Sequence, residues 1–409
     1  MRLSDATVKI IFDSRRQETL TAELFSENFS ACASIPSGKS RSSFEAFVLA
    51  PHRAVEIFNK EVKSELLSKD FLFQEDFDNF LIKLDGTNNK SRLGGNLILS
   101  LSLAFARLKA KAEGLELFDY INKLYRGSLH YLPPSFIPKP IFNVINGGAH
   151  AKNKLEFQEF QIIPQHSSFK DGFEAARKFY KELGENLNKE FGKEEISLGD
   201  EGGYSAPFRS NNEAFQELKQ ISSKFFWRTG SFSFHLSCDA AANSFFIKSE
   251  NKYKINEEKF SPEELYLYHE HLIHKYSLIA LEDPFCENAF SDFSKINKQK
   301  GVYIIADDLT STNPSRLKMA INSASADALI IKPNQIGSLS ETLEVARLAH
   351  KSGWQLIVSH RSGETEDDFI ADLAVGLSAW GIKAGAPATP ERLSKYHRLL
   401  EIEKIISRL

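Results

Sequence analysis

Residues 328–335 read Ala-Leu-Ile-Ile-Lys-Pro-Asn-Gln, an apolar, partly β-branched run closed by Lys332 and a proline. The run has the length and composition of a buried strand, and Pro333-Asn334 with Gly337 stops it. A lysine at such a strand end is either a flank residue reaching water along its stem or an amine held in a site. Inside a site, burial and neighbours tune it as a base. What stands on either side decides between the two.

Upstream, residues 278–281 (LIAL) end at Glu282 and 302–306 (VYIIA) end at Asp307. Downstream, 355–358 (QLIV) lead to Ser359 and His360, and a short strand near Gly381-Ile382 ends at Lys383. The steps 282 to 307 and 307 to 332 are each 25 residues, 332 to 360 is 28, and 360 to 383 is 23. One strand plus one helix fills each interval, with helices expected at 314–324 and 340–351, so the spacing predicts a serial β/α array. Such an array closes most readily into a TIM-like (β/α)8 barrel, whose strand ends converge on one mouth. Further strands are expected at 155–163 (LEFQEFQII), which carries Glu159, and at 232–238 (FSFHLSC), which ends at Asp239. Another is expected at 196–198, before Gly199-Asp200-Glu201-Gly202-Gly203.

The amino-terminal third has another pattern. Residues 7–12, 19–24 and 31–35 predict a small β-meander, followed by a polar loop at 36–43 expected to be exposed and mobile. Residues 94–112 and 116–125 predict helices, the first with apolar side chains at three- and four-residue intervals. The run Pro133-Pro134-Ser135-Phe136-Ile137-Pro138-Lys139-Pro140 breaks regular structure. It marks the expected boundary between a small α+β domain, 1–133, and a barrel domain, 134–409.

Composition narrows the function. Lysine plus arginine (51) nearly balances aspartate plus glutamate (54), and a formal charge of −3 gives no nucleic-acid signal. The hydrophobic fraction of 42% permits a full core. Cys32, Cys238 and Cys286 are too few and too far apart for a disulfide framework, so they are expected as small core filler in a reducing compartment. Neither a signal-length apolar run at the amino terminus nor a membrane-length run elsewhere occurs, which predicts a cytoplasmic protein without a membrane span.

If the strands close, Asp239, Glu282 and Asp307 converge from consecutive positions. Any one of them alone could simply cap a following helix. Three carboxylates together repel strongly in a low-dielectric site and call for a cation, and oxygen-only ligation favours Mg²⁺ over Zn²⁺. Beside them stand Lys332 and Lys383, with His360, Arg361 and Ser362 between, a set suited to a substrate with several negative charges such as a phosphorylated carboxylate. On the opposite arc, Glu159 and Glu201 form an acid pair that cannot both ionise, leaving one proton for general acid catalysis. These parts suggest proton abstraction beside a carboxylate, with cations on the carboxylate oxygens, a base on one face and an acid on the other.

Several segments are specific enough to carry a resemblance: 142–150 (FNVINGGAH), 158–160 (QEF), 199–203 (GDEGG), 281–285 (LEDPF) and 306–313 (ADDLTSTN). To these are added 332–337 (KPNQIG), 359–367 (SHRSGETED) and 382–387 (IKAGAP). The chain resembles the enolase family, the phosphopyruvate hydratases of glycolysis, over nearly its whole length. The resemblance implies two Mg²⁺ ions, one held by Asp239, Glu282 and Asp307 and one recruited with substrate through Ser40 on the closing loop. It implies that Lys332 takes the C2 proton of 2-phosphoglycerate, kept neutral with the help of nearby positive charge. Glu201 would help expel the C3 hydroxyl with Glu159 as its partner, and His150 and His360 would be active-site histidines. Lys383 would meet the substrate carboxylate, and Arg361 and Ser362 the phosphate. A homodimer, or a higher oligomer, is the implied assembly.

Two departures fall in the amino-terminal domain. The family's Ser-Gly-Ala-Ser-Thr-Gly loop is here Ser37-Gly38-Lys39-Ser40-Arg41-Ser42, in which the missing glycine is expected to stiffen the hinge and Lys39 and Arg41 to add charge near a phosphate. The usual Gly-Asn-Pro after Asp13-Ser14-Arg15 is Arg16-Gln17-Glu18, on an edge that makes the dimer contact in relatives. The altered loop also motivates an alternative, a binding or scaffold protein on the same fold; a superfamily dehydratase of another acid is a further alternative, against which Arg361, Ser362 and the intact segment from His360 to Glu366 stand.

Overall fold

The computed structural model of the chain describes residues 1–39, 42–127, 133–151, 153–229 and 233–408. Its amino-terminal sheet is an antiparallel meander of β1 (Asp5–Phe12), β2 (Glu18–Phe25) and β3 (Ser30–Ser34), with Val8 opposite Ala22 and Ala22 opposite Ala33. Alternation puts Ala6, Val8, Leu20, Ala22, Leu24, Ala31 and Ala33 on the buried face, while Cys32 between them faces outward and is exposed. Cys238 is buried and Cys286 partly so, and all three are free thiols, so Cys32 departs from the expected role in the core. The helix Gly95–Ala112 packs beneath this face. Its three- and four-residue spacing predicts one apolar stripe, yet the helix is buried on nearly every side. The meander covers one side and the helices Pro333–Ile336 and Leu339–Lys351 press on another, so the two domains share this helix as common core.

The barrel strands are β4 (Lys139–Asn146), β5 (Glu159–Gln165), β8 (Ser233–Asp239), β12 (Leu278–Glu282), β13 (Tyr303–Ala306), β14 (Ala328–Ile331), β15 (Gln355–Ser359) and β16 (Gly381–Lys383). They hydrogen-bond in that order, and β16 pairs with β4 to close the ring. Strand β5 runs antiparallel to both its neighbours; the other pairs are parallel. Ile141, Ile163, Ala280, Ile305, Ala328, Ile330 and Ile357, taken from six strands, form an apolar cluster of their own that fills the ring.

Two strand expectations need correction. Strand β4 begins at Lys139, inside the proline run expected to be irregular; Pro140 lies at its second residue, where a missing N–H is tolerated. Residues 196–198 do not supply a barrel strand. They enter a two-residue hairpin of β6 (Ser197–Leu198) and β7 (Tyr204–Ser205) attached to β4, and Glu201 rides in its turn. Between β8 and β12 a small sheet is inserted, β9 (Phe246–Ile247), β10 (Lys252–Ile255) and β11 (Glu258–Phe260). No helix among the described residues is long and apolar enough to cross a membrane.

Candidate active site

Parallel strands bring their carboxyl ends to one mouth, and register aligns the side chains there. Asp239, the last residue of β8, is opposite Glu282, the last of β12, and also opposite Glu159 of β5. Glu159 is the first residue of its strand, and it reaches the same mouth because β5 is reversed. Asp307 follows β13, Lys332 follows β14, His360 follows β15, and Lys383 ends β16. In the ring of eight, β5 lies diametrically across from β14, so Glu159 and Lys332 stand on opposite walls.

All these groups are buried except Lys332, which is partly exposed, and two ammonium groups hold the acids. Lys383 Nζ donates to both Glu282 carboxylate oxygens at 2.8 Å and lies 3.2 Å from Glu159 and 3.6 Å from Asp239. Lys332 Nζ donates to Asp307 Oδ2. Burial outweighs these contacts at two of the acids and, with acidic neighbours, pushes Asp239 up to about 7 and Glu282 up to about 8. Burial also opposes the charge on Lys332, but Asp307 overcomes it and holds the ammonium above its ordinary value. The group nearest Lys332 is thus an acid, which favours its charged form, where the sequence reading stresses nearby positive charge.

The donor set fits a hard divalent cation, since costly buried carboxylates with raised affinity for positive charge are what such an ion neutralises. Among the described residues, ligand atoms lie within 4.8 Å of one another in two sets that could hold a metal ion, Asp283, Asp307 and Asp308, and His150, Glu159 and Glu201. The expected trio of Asp239, Glu282 and Asp307 is instead met by the two lysines. Asp283 was not singled out by sequence reasoning. It sits at φ 41° and accepts from the backbone N–H of Asp307 at 3.0 Å and Asp308 at 2.7 Å, so it shapes the loop that presents Asp307. Its signal was its place beside Glu282 in a Glu-Asp-Pro turn.

On the opposite wall, Glu201 Oε2 accepts from Asn143 Nδ2 at 2.7 Å, while Oε1 lies 3.4 Å from His150 Nδ1 and 3.4 Å from His360 Nε2. Burial opposes its charge, but the two histidines and Arg392 hold Glu201 well below the ordinary carboxylate range. Glu159 goes the other way, pushed up to about 8 by burial and by Glu201. The two carboxyls are thus pushed in opposite directions, Glu159 up and Glu201 down, whereas the sequence reading puts the acid's role on Glu201 with Glu159 as its partner.

Arg361 Nη1 donates to Glu45 Oε2 at 3.1 Å and to Asn334 at 3.3 Å, an ion pair spanning both domains that periodicity could not reveal. Ser362 Oγ accepts from Arg15 Nη1 at 3.2 Å and from the Lys39 N–H at 3.0 Å. Ser40 and Arg41 lie outside the described residues. The preceding limb is docked rather than free: Ser37 and Gly363 exchange backbone hydrogen bonds of 2.7 and 2.9 Å, and Arg15 donates to Ser37 Oγ at 2.7 Å. Gly38 passes so close to Arg361 that a Cβ would fall 1.9 Å from its Nη2. Lys39 Nζ donates to Ala149 O at 2.6 Å and to Asp200 Oδ2 at 3.2 Å, so its charge is spent on the loops next to His150 and Glu201. The cavity between these walls has a volume of about 50 Å³ and is lined by Lys332, Glu159, Glu201, Asp239 and Asp307. Larger grooves lie elsewhere, one of about 660 Å³ at the far end of the barrel, but the convergent charged groups are not among its lining.

Fold and site together define a barrel protein of the acid–lysine type, with groups for proton transfer on opposite walls of one mouth. The model for the enolase N-terminal domain matches residues 4–121, and that for the enolase C-terminal TIM barrel domain matches residues 134–408. The chain is 42% identical to an enolase of Sulfurisphaera tokodaii over 96% of its own length and 93% of that protein. It is 39% identical to an enolase of Thermococcus gammatolerans (96% and 93%) and 37% identical to one of Ehrlichia ruminantium (100% and 97%). The chain belongs to the enolase family.

Proposed function

We propose that this protein is a glycolytic enolase that interconverts 2-phospho-D-glycerate with phosphoenolpyruvate and water. The observation that carries the proposal is one cavity bounded by Lys332 on one wall and by Glu159 and Glu201 on the other, with Asp239 and Asp307 also in its lining. Mg²⁺ is the proposed cofactor, one ion held by Asp239, Glu282 and Asp307 and a second involving Ser40; bound there, it supplies positive charge beside the substrate carboxylate.

Lys332 Nζ takes the proton from C2, which requires that it first lose the proton it shares with Asp307. Lys383 holds the substrate carboxylate, so that developing negative charge meets an ammonium already fixed in place. Arg361 and Ser362 bind the phosphate after Arg361 exchanges Glu45 for it. Across the mouth, Glu201 guides a proton to the departing C3 hydroxyl, with Glu159 holding that proton in the resting pair and His150 and His360 orienting Glu201. The proposed division is an amino-terminal domain of 1–133 and a barrel domain of 134–409, and the proposed assembly is a cytoplasmic homodimer.

Phosphoenolpyruvate absorbance, followed with and without Mg²⁺, tests the proposal. Turnover that depends on the cation is expected; its absence from folded, Mg²⁺-supplied protein rules the function out. Lys332→Ala is expected to bind substrate yet no longer exchange the C2 proton with solvent, and persistent exchange assigns the base elsewhere.

A further inference from the structure

The last helix, Pro390–Ile406, packs outside the barrel but sends one fully buried arginine into the wall of the site. Arg392 Nη1 donates to Arg361 O at 2.8 Å, and Nη2 donates to Asp200 O at 2.9 Å and Ser362 O at 2.7 Å. The fourth contact joins Nη1 to the Nδ1 of His360. All four partners are neutral acceptors. A guanidinium has donors only and does not lose its proton in a protein, so the ring nitrogen that meets it must accept. A neutral imidazole carries one N–H, and with Nδ1 accepting, that hydrogen is on Nε2. Nε2 is the nitrogen 3.4 Å from Glu201 Oε1.

The packing around this contact is built for it. Gly385 adopts φ +83°, and a Cβ there would lie 3.0 Å from Arg392 Cδ and 3.1 Å from His360 Cε1. Only glycine leaves room for both side chains. A lysine could not replace the arginine, since a single ammonium cannot reach four acceptors spread around a planar fork.

We propose that Arg392 is a positioning residue that fixes His360 as the neutral Nε2–H tautomer, so that the hydrogen is on the nitrogen nearer Glu201, and locks the Glu201 hairpin to the loop carrying Arg361. The clamp works through the carbonyls of Asp200, Arg361 and Ser362, which belong to those two segments. Glu201, Arg392 and Lys383 are the charged groups acting on His360; burial, Arg392 and Lys383 favour the neutral ring and Glu201 opposes them, leaving it neutral at physiological pH. The consequence for proton transfer rests on the enolase reading, while the tautomer does not.

The test is long-range ¹H–¹⁵N correlation on the full chain labelled at histidine nitrogen, with His360 identified by difference against His360→Asn. The expected result is a single neutral Nε2–H ring in the wild type between about pH 6 and 8, and a mixed or titrating ring in Arg392→Met. The variant is expected to lose about 10–100-fold in kcat, as removal of groups that orient site residues commonly does. Methylguanidinium is expected to restore part of the rate of Arg392→Ala. An Nδ1–H ring or an imidazolium at His360 in the wild type at neutral pH overturns the proposal whether or not an Arg392 variant folds. A wild-type tautomer in folded Arg392→Met also overturns it. A wild type with the expected tautomer but no phosphoenolpyruvate formation leaves the positioning role standing and removes the enolase reading instead.

Discussion

Replacing Lys383 by methionine is the sharpest test of the electrostatic design. The ammonium lies 2.8 Å from Glu282, 3.2 Å from Glu159 and 3.6 Å from Asp239, and none of the four side chains is more than 3% exposed. One such contact at 2.8 Å is worth roughly 6 kcal/mol at an effective dielectric constant of about 20. Protonation of the acids limits the loss, and breaking one side of a buried pair typically costs about 3–5 kcal/mol. With about 2.1 cal/mol/K of unfolding entropy per residue, that is a drop in Tm of roughly 3–6 °C for 409 residues. The pH dependence is the more specific signature. Glu159 and Glu282 are raised from 4.5 to about 8, so between those values the folded chain binds more protons than the unfolded one and stability falls as pH rises. Without Lys383 both acids rise further and the decline extends above pH 8. At about pH 5 both carboxyls are already protonated and the variant should lose little. Thermal and denaturant unfolding with a chelator present, at about pH 5 and pH 8, measures this. A loss of equal size at the two pH values, or none at pH 8, refutes the charge account.

His269 is fully buried, donates from Nε2 to Pro284 O at 2.8 Å, and is pushed down from 6.5 to about 4 by burial. Its stabilising effect is complete above pH 6.5 and is lost as pH falls towards 4, so wild type should lose about 2 kcal/mol more than His269→Gln between pH 7 and 5, read by denaturant midpoints. Arg16 takes the left-handed turn position at φ 59° with its side chain exposed. Arg16→Gly should gain about 0.5 kcal/mol, the relief of that backbone less the added chain entropy, and a measured loss contradicts the strain argument. Lys39→Ala cuts the half-exposed contacts to Ala149 and Asp200, so stability should change by less than about 1 kcal/mol while KM for phosphoglycerate shifts several-fold. Identical steady-state constants would show that the loop is held without Lys39.

Legibility followed the range of each interaction. Strand-end residues such as Asp239, Glu282, Asp307, Lys332 and Lys383 were readable because an apolar run, its stop and its spacing are all local. Strand β4 was not, since its second residue is a proline and the pairing that rescues it comes from β16, more than 200 residues away. Arg392 was equally hidden. A helical repeat predicts which face is apolar, and nothing in it marks an arginine whose four acceptors lie on two distant loops.

The sequence alone determined the β/α rhythm, the acids and lysines at the strand ends, and the resemblance to the enolase family, because these depend on residue type and order. Only the tertiary structure decided which charges and how much burial surround each group. Placing Lys332 against Asp307 favours the charged amine, and placing Glu201 beside two histidines and near Arg392 pushes that carboxyl down while burial and Glu201 push Glu159 up. A pKa is a sum over every charge and every ångström of burial around a group, and that sum exists only once the chain has closed.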